Sequence, residues 1–328
     1  MAAASGSTNN ENMVHAGADD WLFLVGGSNN VEALFANPSS FTPERCQAWV
    51  DLLEQRKARL AAMGIRYLHL PAPEKLTVLP EFYLGEIPNP MGSPTRALFS
   101  RLPADQDVAV NPLVYFDRVK AKRQLYWKTD THWSFYGAFS AYQLLCGKLG
   151  IEPNGDLVNY PRREVNIVMD LGSKMQPVQR ETVTNFRLQK HSRRVFSNEL
   201  VEFKEAHGLD NAGALHVGSH VIFRNDSPDA VDKKVVMFGD SFSEYRPVLL
   251  TGMLAETVRE LHFIWGAELD YGYIEKVQPD IVVSELAERF MTQLPRDERN
   301  NEHFARIRIK QYIEKNGTPT PVKRAIPA

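Results

Sequence analysis

At 328 residues the chain is long enough for one large domain or two ordinary ones. Its 38 lysines and arginines against 40 aspartates and glutamates leave a formal charge of −2, which excludes a basic nucleic-acid binder and an acidic tail. A hydrophobic fraction of 43% with 24% charged residues is that of an ordinary globular chain, and no run nears the roughly 20 apolar residues of a membrane helix.

Residues 1–18 are mostly small and polar and read as a disordered leader, with order expected from Asp19. The start lacks the basic residues and apolar stretch of a secretory signal, so a cytoplasmic location is expected, with the periplasm as the alternative if a signal has been removed. Asp20-Trp21-Leu22-Phe23-Leu24-Val25 reads as a short strand running into a turn at Gly26-Gly27-Ser28-Asn29-Asn30. Trp49, Leu52, Leu53, Leu60 and Met63 recur at helical spacing over residues 43–63, with Thr42 as N-cap and Gly64 as C-cap. A buried strand follows at 65–70, and a second helix runs from Ser134 to Leu149.

Between 151 and 232 the periodicity is mixed, which suggests an insertion or a strand-rich subdomain. Val235-Val236-Met237-Phe238 is then a continuous apolar run, the pattern of a central parallel strand, with further strands at 261–265 and 281–284 separated by a helical segment containing Tyr271, Ile274 and Val277. Charged residues at 296–302 suggest a surface helix ahead of a loose tail ending at 328. The alternation of helices and strands argues an α/β chain with a mostly parallel sheet. Its organisation reads as one catalytic unit over 19–295 and a C-terminal helix and tail over 296–328.

Two motifs carry chemistry. Gly239-Asp240-Ser241-Phe242-Ser243 ends the apolar strand, where open α/β sheets place ligands, and the N–H groups of a following helix would stabilise an oxyanion. The bland reading is a strand-to-helix turn capped by serine. In Lys128-Thr129-Asp130-Thr131-His132-Trp133, residues two apart on an extended segment face the same way, so Asp130 orients His132 as the base for a serine. The bland reading is that Asp130 caps the next helix and His132 is a satisfied histidine. Together the motifs supply all three roles of a Ser-His-Asp triad.

Other signals are weaker. His216 and His220 have the spacing of metal ligands on a helix, but Gly218 favours a loop. Asp226, Asp229 and Asp232 read as a solvated turn, and Arg289 follows Glu285 at helical ion-pair spacing. Tyr245 and Arg246 fit either a pocket wall or packing and surface charge. Cys46 and Cys146 form no CxxC pair, so neither a disulfide framework nor a cysteine-rich zinc site is expected. Neither GxxxxGK[ST] nor GxGxxG occurs, so no nucleotide cofactor is expected.

Trp21-Leu22-Phe23-Leu24, Pro71-Ala72-Pro73-Glu74-Lys75-Leu76-Thr77-Val78-Leu79-Pro80, the Lys128 to Trp133 motif with Gly137-Ala138, Phe238-Gly239-Asp240-Ser241-Phe242-Ser243 and Pro279-Asp280-Ile281-Val282-Val283 occur in this order. Over roughly residues 19–290 the chain thereby resembles the AlgX/AlgJ family of SGNH-hydrolase-like polysaccharide O-acetyltransferases. The resemblance implies a three-layer sandwich around a mostly parallel sheet, with Ser241 as nucleophile, His132 as general base and Asp130 as its orienter. It further implies acetyl transfer through an acetyl-serine onto a carbohydrate or polysaccharide hydroxyl, from an acetyl donor presented by a membrane-bound O-acyltransferase. A carbohydrate acetylesterase and a non-catalytic carbohydrate-binding scaffold are the competing expectations. The resemblance supplies no oxyanion Asn or Gly after Ser241.

Overall fold

The protein is described by a computed structural model over residues 13–27 and 30–322. Most of the expected leader, the middle of the turn after Val25 and the end of the tail lie outside these residues. A strand β1 (Val14–Ala16) already pairs antiparallel with β2 (Leu22–Leu24), so regular structure starts before Asp19. All three residues of β2 are buried, and its Leu22 N–H donates to the carbonyl of Lys128.

Thr42 caps the helix Pro43–Ala61 through Arg45 N–H, and the chain then enters β3 (Arg66–Ala72). The helix Phe135–Leu149 begins and ends as its sequence demands: Ser134 Oγ accepts from the N–H groups of Tyr136 and Gly137, and Gly150 takes the left-handed conformation beyond its end. The segment expected as an insertion divides. β4 (Arg162–Ile167) and β5 (Glu181–Phe186) form a separate antiparallel pair, whereas β6 (Ser192–Ser197) and β7 (His220–Asn225) join the main sheet. Of these, β6 is the edge strand and leaves most of its residues exposed or partly exposed, whereas β7 lies inside the sheet between β9 and β6, but its His220, Arg224 and Asn225 leave only a three-residue apolar run, short of the signature of a buried parallel strand.

β8 (Val231–Gly239), β9 (Val258–Trp265) and β10 (Ile281–Ala287) complete a six-stranded sheet in the order β3-β10-β8-β9-β7-β6. The first four strands are parallel to one another, and β7 runs antiparallel to both of its neighbours. β8 is apolar throughout its second half because both faces are covered. Val235 and Met237 pack with Ala138, Tyr142 and Leu145 on one side, and Val236 and Phe238 pack with Trp49, Leu53 and Ile274 on the other. Helices therefore lie on both faces, giving three layers.

The chain leaves β8 toward the first face, where Phe242 and Leu250 are buried, and leaves the adjacent β10 toward the second, where Met291 is buried. Connections that part in this way open a crevice beyond the carboxyl ends of the strands. At the C-terminal end, the charged stretch 296–299 precedes the helix proper, which is Asn301–Asn316 with Asn300 as its cap.

Candidate active site

Three neighbouring strands deliver polar and charged residues to one end of the sheet: Glu74 and Lys75 after β3, Asp240 and Ser241 after β8, Glu288 and Arg289 after β10. The turn after β8 needs Gly239, because a Cβ there would lie 3.0 Å from Glu285 Oε2 and from Phe263 Cε2, tighter than ordinary contact. Asp240 pins this turn. Its Oδ1 accepts from Phe242 N–H at 2.9 Å and its Oδ2 from Ala287 N–H at 2.8 Å, tying the tip of β8 to that of β10. Beneath it, Glu285 Oε2 accepts from Asp240 N–H (3.1 Å) and Ser243 Oγ (2.7 Å). Burial, reinforced by the neighbouring Asp240, raises the Glu285 carboxyl well above its usual range and favours its neutral form.

The expected helix start after Ser241 is absent. Residues 241–243 are a turn, and the next helix is Leu249–Ala255. The N–H groups that such a helix would leave free are engaged: Phe242 to the Asp240 side chain, Ser243 and Glu244 to the Asp240 carbonyl (3.2 and 2.9 Å), and Tyr245 to Glu244 Oε1 (3.0 Å). Ser241 itself is partly exposed, and neither its hydroxyl nor its N–H has a hydrogen-bond partner among the described residues.

Asp130 and His132 are brought together. Asp130 Oδ1 accepts from His132 Nδ1 at 2.6 Å and from the His132 N–H at 2.9 Å, while Oδ2 accepts from Asp170 N–H at 3.3 Å. A proton on Nδ1 leaves Nε2 as the lone-pair nitrogen of the neutral ring. Burial opposes charge on the imidazole, but the Asp130 carboxylate outweighs it and raises the His132 pKa, with Arg289 pulling the other way. Burial likewise opposes charge on Asp130, and His132 overrides it, so the Asp130 pKa falls. Nε2 is buried and unpartnered, so the structure stops short of a His132–Ser241 hydrogen bond.

The loop is strapped from outside. Glu181 on β5 accepts from Lys128 N–H (3.1 Å), Thr129 N–H (2.8 Å) and Thr129 Oγ1 (3.0 Å). Lys75 Nζ donates to the carbonyls of Leu22 (2.8 Å) and Lys128 (3.0 Å), and burial pushes its pKa down to about 7.

Phe242 joins the two motifs. Its ring centroid lies 5.1 Å from that of His132 and 4.9 Å from that of Trp133, and the Arg289 guanidinium carbon sits 5.7 Å from the same ring. Arg289 does not pair with Glu285 as expected, because β10 is a strand and the two side chains never share a helical face. Instead its Nη1 donates to both oxygens of Glu74 at 2.8 and 2.9 Å. Glu74 and Lys75 were visible only as parts of a motif, and the positions of Glu181 and Phe242 carried no local signal for their contacts.

The weaker signals lie elsewhere. His216 packs edge-on to Trp265, and His220, in strand β7 rather than a loop, bonds through Nε2 to Tyr273 Oη at 3.1 Å. Asp226 pairs with Arg193, and buried Tyr245 donates to Asp210. Arg246, itself exposed, pairs with buried Glu244, and both cysteines are free. No described helix is long and apolar enough to cross a membrane.

The chain is similar to solved structures across most of its length. Bacillus cereus PatB1 shares 16% identity over 86% of this chain and 97% of its own, with a TM-score of 0.57. The O-acetyltransferase domain of Pseudomonas putida AlgJ shares 17% identity over 90% and 99%, with a TM-score of 0.52. A DHHW family protein from Eubacterium siraeum shares 11% over 89% and 95%, with a TM-score of 0.54. These likenesses establish the fold. No curated protein matches the sequence. Residues 14–197, more than half of the chain, match the family model described as "SGNH hydrolase-like domain, acetyltransferase AlgX". The chain thus belongs to the AlgX/AlgJ family of SGNH-hydrolase-like acetyltransferases.

Proposed function

We propose that the protein is an enzyme that moves an acetyl group through an acetyl-Ser241 intermediate onto a carbohydrate hydroxyl, in the modification of a polysaccharide. The observation that carries this reading is the Asp130–His132 hydrogen bond, which leaves an unpartnered Nε2 in a ring packed against Phe242, the residue after Ser241. His132 takes the Ser241 proton as its Oγ attacks the acetyl carbonyl, and Asp130 holds the tautomer and stabilises the imidazolium that forms. His132 then returns that proton to the departing oxygen of the donor. A sugar hydroxyl repeats the sequence in reverse and carries the acetyl group away. The missing His132–Ser241 hydrogen bond is compatible with this, since such bonds often tighten only once substrate is bound. The family supports an acetyl donor handed over by a membrane-bound acyltransferase and a polysaccharide acceptor.

The test is incubation with 4-nitrophenyl acetate, with and without oligosaccharides, followed by intact mass and peptide mapping. Acetyl on Ser241 that moves to a sugar is the expected result. Unchanged acetyl release by Ser241→Ala would refute the assignment, and labelling that ends only in hydrolysis would make the protein an esterase.

A further inference from the structure

Acyl transfer needs donors aimed at the oxygen that becomes negative, and a serine at a strand tip ordinarily finds one in the next residue's N–H. Here that N–H belongs to Phe242 and is committed to Asp240, and the N–H groups of residues 243–245 are committed as well. Only Ser241's own N–H is free in this turn. One backbone donor is a thin oxyanion site.

A second donor lies against the ring of the next residue, Phe242. Arg289 has a side chain only 4% exposed, and its Nε is buried without a partner. Glu74 fixes the guanidinium by its Nη1 end, and the group lies against Phe242 on the strand tip that Asp240 ties to the serine turn. Buried donors left unpaired are costly and rare, so one at this place calls for a partner that arrives later.

We infer that Arg289 is a further catalytic residue, its Nε–H donating, together with the Ser241 N–H, to the acyl oxygen of the tetrahedral intermediate. The inference rests on Ser241 being the nucleophile. With an acetyl ester as donor, the Ser241 Oγ–C bond forms, the Oγ proton passes to His132 Nε2, and the carbonyl π electrons move onto the oxygen that Arg289 faces. Collapse restores the carbonyl, breaks the bond to the donor's oxygen and returns the proton to that oxygen. Arg289 keeps its proton throughout. The other charges around His132 and Arg289 are Asp130, Asp170, Glu74 and Asp240. None of these supplies a donor when ionised.

The experiment measures steady-state hydrolysis of 4-nitrophenyl acetate by the full chain carrying Arg289→Gln, Arg289→Lys, the double change Glu74→Gln with Arg289→Gln, or Ser241→Ala. Arg289→Gln and Arg289→Lys should each lower kcat by about 10²–10³-fold with KM changed by less than about threefold, the signature of a contact made only in the transition state. The double variant removes both buried charges and keeps the test open if the single variant fails to fold; it should show the same kcat loss. If Ser241→Ala is inactive while the folded double variant keeps kcat within about threefold of wild type, or loses only KM, Arg289 is not an oxyanion donor and the nucleophile assignment stands. If Ser241→Ala is as active as wild type, the nucleophile assignment falls and the Arg289 role falls with it.

Discussion

Replacing either of two glycines in the helix Phe135–Leu149 by alanine should change stability, but with opposite signs. Removing a glycine from a helix interior gains about 0.5–1 kcal/mol at either position. At exposed Gly147 a new Cβ meets nothing within 4 Å, so the gain survives. Gly147→Ala should raise the melting temperature by about 1–4 °C, at roughly 2–4 °C per kcal/mol for a larger domain. At Gly137 the Cβ would land on the carbonyl oxygen of Leu125 and lie 3.0 Å from its carbonyl carbon. That oxygen already accepts the Ser134 N–H at 2.9 Å, and the Ser134 hydroxyl caps the same helix. Overpacking costs about 1–3 kcal/mol and a broken buried hydrogen bond a similar amount, so the net loss is about 3 kcal/mol. Gly137→Ala should therefore melt about 6–12 °C below wild type. Because residues 125–134 carry Asp130 and His132, acetyl release should fall with it, whereas Gly147→Ala should leave it intact. Thermal unfolding followed by circular dichroism, paired with the acetyl-release assay, decides. A Gly137→Ala protein melting at or above wild type would refute the packing argument.

Three more outcomes follow from the loop. Activity should rise with pH through an apparent pKa above the usual imidazole value of about 6.5, because His132 acts when neutral and Asp130 holds its pKa up. The stability contributed by this pair runs the other way: the raised His132 pKa means that it is complete below the unfolded histidine's pKa and fades as pH rises through the folded one. On the acid side, the lowered Asp130 pKa means the contribution holds above the unfolded aspartate's pKa and is lost as pH falls toward the folded value. A pH–rate profile with its midpoint below 6 would contradict the assignment. Glu181→Ala should cost about 1–3 kcal/mol by unpairing the N–H groups of Lys128 and Thr129. Hydrogen exchange at those two amides should quicken more than in the central strands; unchanged protection would show that Glu181 is not the strap.

What could be read without coordinates was whatever depends on neighbours in sequence. The Asp130–His132 bond was legible from their spacing, although residues 128–132 form a turn and bend in which Asp130 also accepts the His132 N–H, not the extended segment expected, and the helix after it declares itself through Ser134 and Gly150. The apolar half of β8 shows that it is covered on both faces. What could not be read depends on which strand tips become neighbours. Glu285 and Arg289 are spaced for a helix, and only the position of β10 between β3 and β8 turns one beneath the serine turn and the other toward Glu74. The loss of the oxyanion helix was equally hidden, since Asp240 reads as an ordinary turn residue until its carboxylate is found holding both Phe242 and Ala287. β6 escaped because an edge strand needs no continuous apolar run, and β7 because His220, Arg224 and Asn225 bound an apolar run of only three residues.

The span that matches the family, residues 14–197, contains Asp130 and His132 together with the contacts that hold them: Glu181, Asp170, Lys75 and the carbonyl of Leu22. Ser241 lies outside that span, and the contacts that shape its turn, from Asp240, Glu285 and Ala287, lie outside it too. The base and the nucleophile turn are therefore held by different sets of local hydrogen bonds, on two parts of the chain joined through the sheet by the pairing of β3 with β10. Nearest the reacting groups they are joined by Phe242 packed on His132 and Trp133, by Glu74 bound to Arg289, and by Glu288, which accepts from the N–H groups of Glu74 and Thr95 and the hydroxyls of Thr77 and Ser93. Relative placement of the reacting atoms is then decided by these crossing contacts rather than by the hydrogen bonds inside either set. A displacement of about 1 Å between positioned groups can cost on the order of 100-fold in rate. Substitutions at Phe242 should thus weaken turnover even though its side chain holds no proton and carries no charge.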